Sequence, residues 1–208
     1  MRRIEDKIAI NKEKKVTFLD WLKQKDARIL FEDRQINSIY FENHSLSIYN
    51  ESIEGLCPRK KIRVRYYGNK EFCLTNKLNY NLEIKYTDFF GRKKKSEKVK
   101  NIKKLLKNGF FDEKYGICRP IISVSYKRKY FLCKGFRVTL DSDIFYKKYN
   151  PILFFNSNKI LDNNIIVEIK SNNIFNRDQI EAEFPFARTR FSKYCFGIEA
   201  LKIIDNLN

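Results

Sequence analysis

Strand after strand in this chain alternates between apolar and ionised residues. In RKKIRVRYYG, residues 59–68, a period of two puts Arg59, Lys61, Arg63 and Arg65 on one face and Lys60, Ile62, Val64 and Tyr66 on the other. Same-face neighbours in a strand stand roughly 6.6 Å apart. At that separation two cations repel by about 0.6 kcal/mol in water, but by about 2.5 kcal/mol at an effective dielectric of about 20. Open to solvent such a ladder is harmless; enclosed, it requires an anion. The phase recurs in RRIEDK (Arg3, Glu5, Lys7), NLEIK (Glu83, Lys85), ISVSYKRK (Tyr126, Arg128), FRVTLD (Arg137, Thr139, Asp141) and IIVEIK (Glu168, Lys170). One such strand fits a sheet with one face in water. Six on the same phase favour an inverted arrangement, a closed barrel whose interior is charged and whose apolar outside is covered by helices.

The alternation predicts strands over Arg3–Ile10, Ile36–Phe41, Lys61–Tyr67, Asn81–Tyr86, Lys93–Val99, Ile121–Arg128, Phe131–Leu140 and Ile165–Ser171. Three helices are expected between and after them. One is capped at Thr17 and carries Phe18, Leu19 and Leu22; one is basic and carries Val99, Ile102, Leu105 and Leu106; one is C-terminal and carries Ile198, Leu201, Ile204 and Asp205. With 7 Gly, 4 Pro and no repeat or linker-like run, the 208 residues are expected to form a single domain, 1–208. The expected class is mainly β (α+β), an eight-stranded antiparallel β-barrel tunnel with a charged interior, flanked by helices.

The 43 Lys+Arg against 25 Asp+Glu give a net charge of +18, a field that attracts polyanions. Five cysteines, odd in number and without a C-x-x-C pair, and the single histidine, His44, support neither a disulfide framework nor a zinc site nor Cys-His or Ser-His-Asp chemistry. No window holds the ~18 apolar residues of a membrane span, and the charged start MRRIEDK lacks an apolar leader core, so a cytoplasmic protein is expected. No G-x-x-x-x-G-K-[ST] or G-x-G-x-x-G loop is present.

A cation-lined enclosure with a few carboxylates suits phosphoryl transfer, which needs phosphates neutralised and aligned and a divalent ion bridging their oxygens, but no protein nucleophile. Arginine forks grip phosphate, lysines act as point charges and a glutamate offers a hard oxygen to Mg²⁺ or Mn²⁺.

Seven segments in order, RRIEDK, INSIYFEN, YNESIEGLCPRKKIRVRYYG, LEIK, ISVSYKRKYF with FRVTLDSDI, IIVEIK and RFSKY, run nearly end to end. By them the sequence resembles the VTC domain, the polyphosphate-polymerase family of the triphosphate tunnel (CYTH-like) metalloenzymes. The resemblance implies an antiparallel tunnel holding a triphosphate or polyphosphate. It matches Arg63, Arg65, Lys85, Tyr126, Arg128 and Lys170 to catalytic phosphate-gripping positions. Lys7, Arg137, Ser192 and Lys193 match substrate-binding positions, and Glu168 matches the metal-binding glutamate. Glu5 is a second candidate ligand, because the first strand has one glutamate where related CYTH proteins have E-x-E-x-K. In RKKKSEK either Lys93 or Lys95 is expected to enter the tunnel, and Lys95 is assigned.

The activity this implies is a metal-dependent ATP:polyphosphate phosphotransferase that moves the γ-phosphate of ATP onto a growing chain, with Mn²⁺ or Mg²⁺ as cofactor. A tripolyphosphatase or nucleoside triphosphatase on the same scaffold, and a non-catalytic binder of polyphosphate or nucleic acid, stand as alternatives. ATP and inorganic polyphosphate are the expected partners. A membrane or protein partner outside this chain is left open, and nucleic acid is not expected.

Overall fold

The computed structural model describes residues 4–68, 78–152, 158–171, 182, 184 and 186–203. Its elements follow in the order β1 (Ile4–Asn11), α1 (Lys14–Gln24), β2 (Arg28–Glu42), α2 (Ser47–Glu54), β3 (Arg59–Tyr67), β4 (Asn81–Asp88), β5 (Gly91–Lys98), α3 (Ile102–Asn108), β6 (Phe110–Asp112), β7 (Gly116–Cys133), β8 (Phe136–Lys148), β9 (Lys159–Leu161), β10 (Asn164–Ser171) and α4 (Lys193–Ala200). Hydrogen-bonded neighbours run β1-β10-β8-β7-β2-β3-β4-β5, an eight-strand path with β6 added on β7 and β9 on β8. The pairings β1–β10, β10–β8, β2–β3, β3–β4, β4–β5 and β6–β7 are antiparallel. The path is open: among the described residues no ladder joins β1 to β5.

The chain divides into two compact units, each assembled from three stretches. Residues 1–34, 126–144 and 161–192 form the first, and residues 35–125, 145–160 and 193–208 the second.

In the first unit the period of two is realised as two faces. Ile8, Val167 and Leu140 stand opposite one another across β1, β10 and β8, and Lys7, Glu168 and Thr139 form the adjacent row on the reverse side. The apolar face is closed by α1, whose Phe18 and Leu22, four residues apart and so on one side of the helix, join Ile8, Ile10, Val138, Leu140, Val167 and Ile169 in one buried cluster. Trp21, Phe184 and Phe186 extend it with ring contacts of 4.7–5.6 Å. On the charged face Glu168 is 7% exposed.

In the second unit the rows are Ile39–Val64–Leu82 and Phe41–Ile62–Ile84 on one face and Tyr40–Arg63–Glu83–Ser96 on the other. Helix α2 takes no side-chain cap from Leu46, its N-cap residue with a left-handed φ of 51°, and Asn43 Oδ1 accepts the Ser47 N–H at 2.9 Å. Its next amides are met by a residue from β2: Glu42 accepts from the N–H of Ile48 at 3.1 Å and of Tyr49 at 2.8 Å. The same carboxylate accepts the Tyr194 hydroxyl of α4, and Tyr49 donates to Glu199, so Glu42 gathers β2, α2 and α4. Gly55 ends α2 in the left-handed region, φ 81°, where a side chain would be strained.

Several elements differ from the sequence expectation. Helix α1 starts at Lys14, not at a Thr17 cap, with Asn11 Oδ1 accepting the Lys14 N–H at 3.0 Å. The expected strand over Phe131–Leu140 straddles the Lys134–Gly135 turn, so Phe131 to Cys133 end β7 and Phe136 opens β8. Strand β2 is longer than Ile36–Phe41, and α2 was not foreseen. Arg3, Ile204 and Asp205 lie outside the described residues. Helix α3 forms with Ile102, Leu105 and Leu106, but Val99 lies before it, because Asn101 caps its start by accepting from the Lys104 N–H.

Candidate functional site

Each unit presents one charged, covered strand face. In the first, register sets Glu5 opposite Lys170, Lys7 opposite Glu168, Glu168 opposite Thr139 and Lys170 opposite Arg137. The side chains interleave. Lys170 Nζ donates to Glu168 Oε2 at 2.8 Å, Arg128 Nη2 stands 3.5 Å from that oxygen, and Lys7 Nζ is 3.9 Å from Glu168 Oε1. Lys7 also donates to the carbonyl of Phe191 at 2.8 Å, tying β1 to the segment that carries Ser192. Arg128 is forked onto Asp141, Nε to Oδ1 at 2.5 Å and Nη2 to Oδ2 at 2.7 Å, and its Cζ lies 5.4 Å from the Tyr126 ring centre. Asp141 is fully buried. Such a charge is tolerated only with a forked partner of this kind.

Two polar groups on this face have no hydrogen-bond partner in the described structure: Arg137 Nε and Thr139 Oγ1. The Arg137 guanidinium stacks at 5.5 Å on Tyr130, which fixes its plane and leaves the Nε–H unmet. A buried donor without an acceptor costs about 1–3 kcal/mol, a cost that an oxygen acceptor reaching this face would relieve.

In the second unit Arg63, 8% exposed, donates from Nε and Nη2 to Glu83 Oε2 at 2.9 and 2.6 Å and from Nη1 to the Tyr40 hydroxyl at 3.1 Å. Arg65 Nη1 is 3.8 Å from the same carboxylate, and its guanidinium lies 5.7 Å from the Tyr67 ring centre. Burial by itself raises the Glu83 carboxyl. The charges of Arg63 and Arg65 and the hydrogen bonds of Lys94 and Arg63 overcome that and bring it down to about 2. Glu83 is thus an internal counterion for a cluster of three cations. Lys61 lies on the same face, 5.6 Å from the Tyr194 ring centre, opposite Lys85. Lys193 opens α4, one residue before Tyr194, which stacks on Tyr40 at 5.0 Å.

The assignment on β5 is corrected by the register. Lys95 stands opposite Ile84 and Lys93 opposite Tyr86, both on the apolar phase, whereas Lys94 stands opposite Lys85 and reaches Glu83 Oε1 at 2.9 Å. The two-residue turn Phe89–Phe90, with Asp88 paired to Gly91, sets this phase. Lys60 also belongs to the apolar side: its Nζ donates to the buried Asp112 at 2.8 Å, a structural pair away from the arginines.

Neither Glu83 nor Asp141 was given a role at the sequence level, although both lie on the charged phase. Carboxylates that neutralise cations within an empty site have the same residue pattern as ligands for an ion. Among the described residues no three His, Cys, Asp or Glu side chains converge as a metal cage. Glu168 and Glu5 sit diagonally on neighbouring strands of one face. They fit a small hard cation of the kind held by one or two carboxylates, with the remaining ligands coming from phosphate oxygens and water.

The model of the VTC domain matches residues 2–202. No curated protein matches the sequence. Among solved structures, a putative adenylate cyclase from Vibrio parahaemolyticus is similar at a TM-score of 0.53 and 13% identity, over 92% of this chain and 95% of that one. A structure of the Mediator head module of Schizosaccharomyces pombe (TM-score 0.49, 7% identity, 100% and 94% covered) and an RNA triphosphatase of the same yeast (0.30, 8%, 97% and 73%) are also similar, at levels that carry no argument. The cyclase shares the fold.

Proposed function

Because this chain belongs to the VTC domain family, within the triphosphate tunnel superfamily, we propose that it is a polyphosphate polymerase that transfers the γ-phosphate of ATP to a growing polyphosphate chain. The observation that supports this most is the charge arrangement: two covered faces rich in arginine and lysine, neutralised internally by Glu83, Asp141 and Glu168, with Arg137 Nε and Thr139 Oγ1 left unmet. A phosphate chain, whose oxygens accept only, is the complement of such faces.

On the face of the second unit Arg63 and Arg65 are the phosphate-gripping donors, with Lys85, Lys94 and Lys193 beside them; on the face of the first, taken by itself, they are Arg128, Lys170 and Arg137, with Lys7 and Ser192, Tyr126 holding the Arg128 plane. Glu168, with Glu5 as a second oxygen donor, would hold a divalent ion, which would supply charge neutralisation to the phosphates. The acceptor is the terminal phosphate of a chain, already an oxyanion at neutral pH, so no side chain is needed to remove a proton. The contribution of the protein is alignment and charge compensation.

The test is incubation of the protein with ATP and Mn²⁺, resolving chain products on a gel and assaying ADP and free phosphate. Growing ladders with ADP are expected, lost on chelation and in Arg63→Ala and Glu168→Gln. Undiminished activity in both variants refutes this site. Free phosphate without chains favours a hydrolase on the same faces, and binding that responds to salt but not to chelation favours a binder.

A further inference from the structure

The strongest feature left unused by these faces is the tip of the β4–β5 hairpin. Its two-residue turn is Phe89–Phe90, with the rings 77% and 85% exposed. Turn positions favour Gly, Asn, Asp or Pro for backbone reasons, and neither phenylalanine has a positive φ or, among the described residues, a ring contact that would account for it. The tip is nevertheless ordered from within. Asp88 Oδ1 accepts the Phe90 N–H at 2.9 Å, and Asp88 Oδ2 accepts from Lys93 at 3.3 Å. Two large apolar rings are therefore held out on a preformed turn.

The residues that follow are Arg92, Lys93, Lys94 and Lys95, and β5 is exposed along almost its whole length. Register puts Arg92 and Lys94 on one side of the strand and Lys93 and Lys95 on the other. Basic residues thus flank the tip on both sides of the strand, with Lys94 turned to Glu83 and Lys93 to Asp88. A nucleic-acid backbone follows a groove along one face, with bases stacked on rings set in that face. Charge on both sides of a protruding apolar tip instead matches a plane approached end-on, with phenylalanine entering the acyl boundary and lysine and arginine at the level of anionic headgroups.

We propose that the Phe89–Phe90 hairpin is a peripheral anchor for an anionic lipid bilayer. The inference is independent of the phosphate-transfer reading, since neither phenylalanine touches the charged faces. The lone carboxylate of the tip, Asp88, is already committed to Lys93 and to the turn amide, so it adds no unpaired negative charge against the headgroups.

The experiment is sedimentation of the full chain with phosphatidylcholine vesicles, with and without phosphatidylserine. The wild type is expected to pellet with the phosphatidylserine vesicles, and Phe89→Ser/Phe90→Ser to bind them roughly tenfold or more weakly, with an unchanged melting curve and unchanged calorimetric affinity for tripolyphosphate. In Lys93→Gln/Lys95→Gln binding should lose much of its salt dependence. Because any strongly basic protein adsorbs to anionic vesicles, Phe90→Trp supplies the second readout: its emission should shift to the blue on those vesicles, beyond the contribution of Trp21 in the wild type. Equal pelleting of the double serine variant, or no blue shift in Phe90→Trp, overturns the proposal. So does loss, in the serine variant, of binding to a single-stranded RNA oligonucleotide in place of vesicles, which would assign the rings to base stacking. Loss of self-association by sizing in that variant, with vesicle binding intact, would assign them to a second copy and overturn it too.

Discussion

Replacing Glu83 by Gln keeps the shape of the Arg63 pocket and an acceptor for its N–H groups while removing the charge that Arg63, Arg65 and Lys94 share. The carboxyl falls from an ordinary 4.5 to about 2 on folding, which corresponds to about 3 kcal/mol of stability at neutral pH. For a chain of this size that is a fall in Tm of roughly 6–12 °C. The sign follows from the depressed value. A carboxyl that is more acidic when folded contributes fully above its unfolded value, and the contribution disappears as pH falls through the folded one. The stability gap between wild type and Glu83→Gln should therefore be widest above about pH 5 and close as pH approaches 2, other carboxylates cancelling in the difference. Urea unfolding of both proteins across that range measures it. Tripolyphosphate should also raise the Tm of the variant by more than that of the wild type, because three cations have lost their internal counterion. A gap of the same size at pH 7 and pH 3, or one below about 0.5 kcal/mol at neutral pH, would refute the idea that Glu83 serves as a stand-in anion.

Tyr194→Phe removes the hydroxyl that Glu42 accepts in a buried site. Burial already pushes that carboxyl up against the hydrogen bonds of Tyr194, Ile48, Asn43 and Tyr49, so a loss of about 1–3 kcal/mol is expected by chemical denaturation. No change would mean that water replaces the hydroxyl. Gly197→Ala puts a methyl 2.8 Å from Ile122 Cδ1 and 2.9 Å from the Tyr146 ring. Overpacking of about 1–3 kcal/mol against a helix-propensity gain of about 1 leaves a net loss of up to about 2 kcal/mol; a Tm above wild type would show that Ile122 moves aside freely.

Where one face of a strand is apolar, the sequence was enough. Ile62, Val64 and Tyr66 mark the phase of β3, so Arg63 and Arg65 fall on the charged side, and Val167 and Ile169 do the same for Glu168 and Lys170. In GRKKKSEK nothing apolar marks the phase, and the choice between Lys93 and Lys95 passed over Lys94 because only the pairing of Asp88 with Gly91 sets it. The first half of β2, Arg28–Arg34, is largely exposed and shows no clean alternation, which hid its length. Helix α2 escaped notice because an apolar Leu46 holds its N-cap position, while its amides are met by Asn43 and Glu42, four to seven residues upstream of them, outside the usual capping spacing. Glu83 and Asp141 were on the page as charged-phase residues, but a counterion role depends on distances that spacing does not carry.

The two-faced strands also set how this fold can change its length. In β3 every residue from Ile62 to Tyr66 is committed, alternately, to an apolar cluster or to the cation face. One inserted or deleted residue would send Arg63 and Arg65 into the hydrocarbon and Ile62 and Val64 in among the charges. In a sheet with a watery side, such a slip damages one face only. Here it ruins both at once, so insertions and deletions can survive in turns such as Phe89–Phe90 but not in the strands that carry Arg63, Glu83, Arg128 or Glu168.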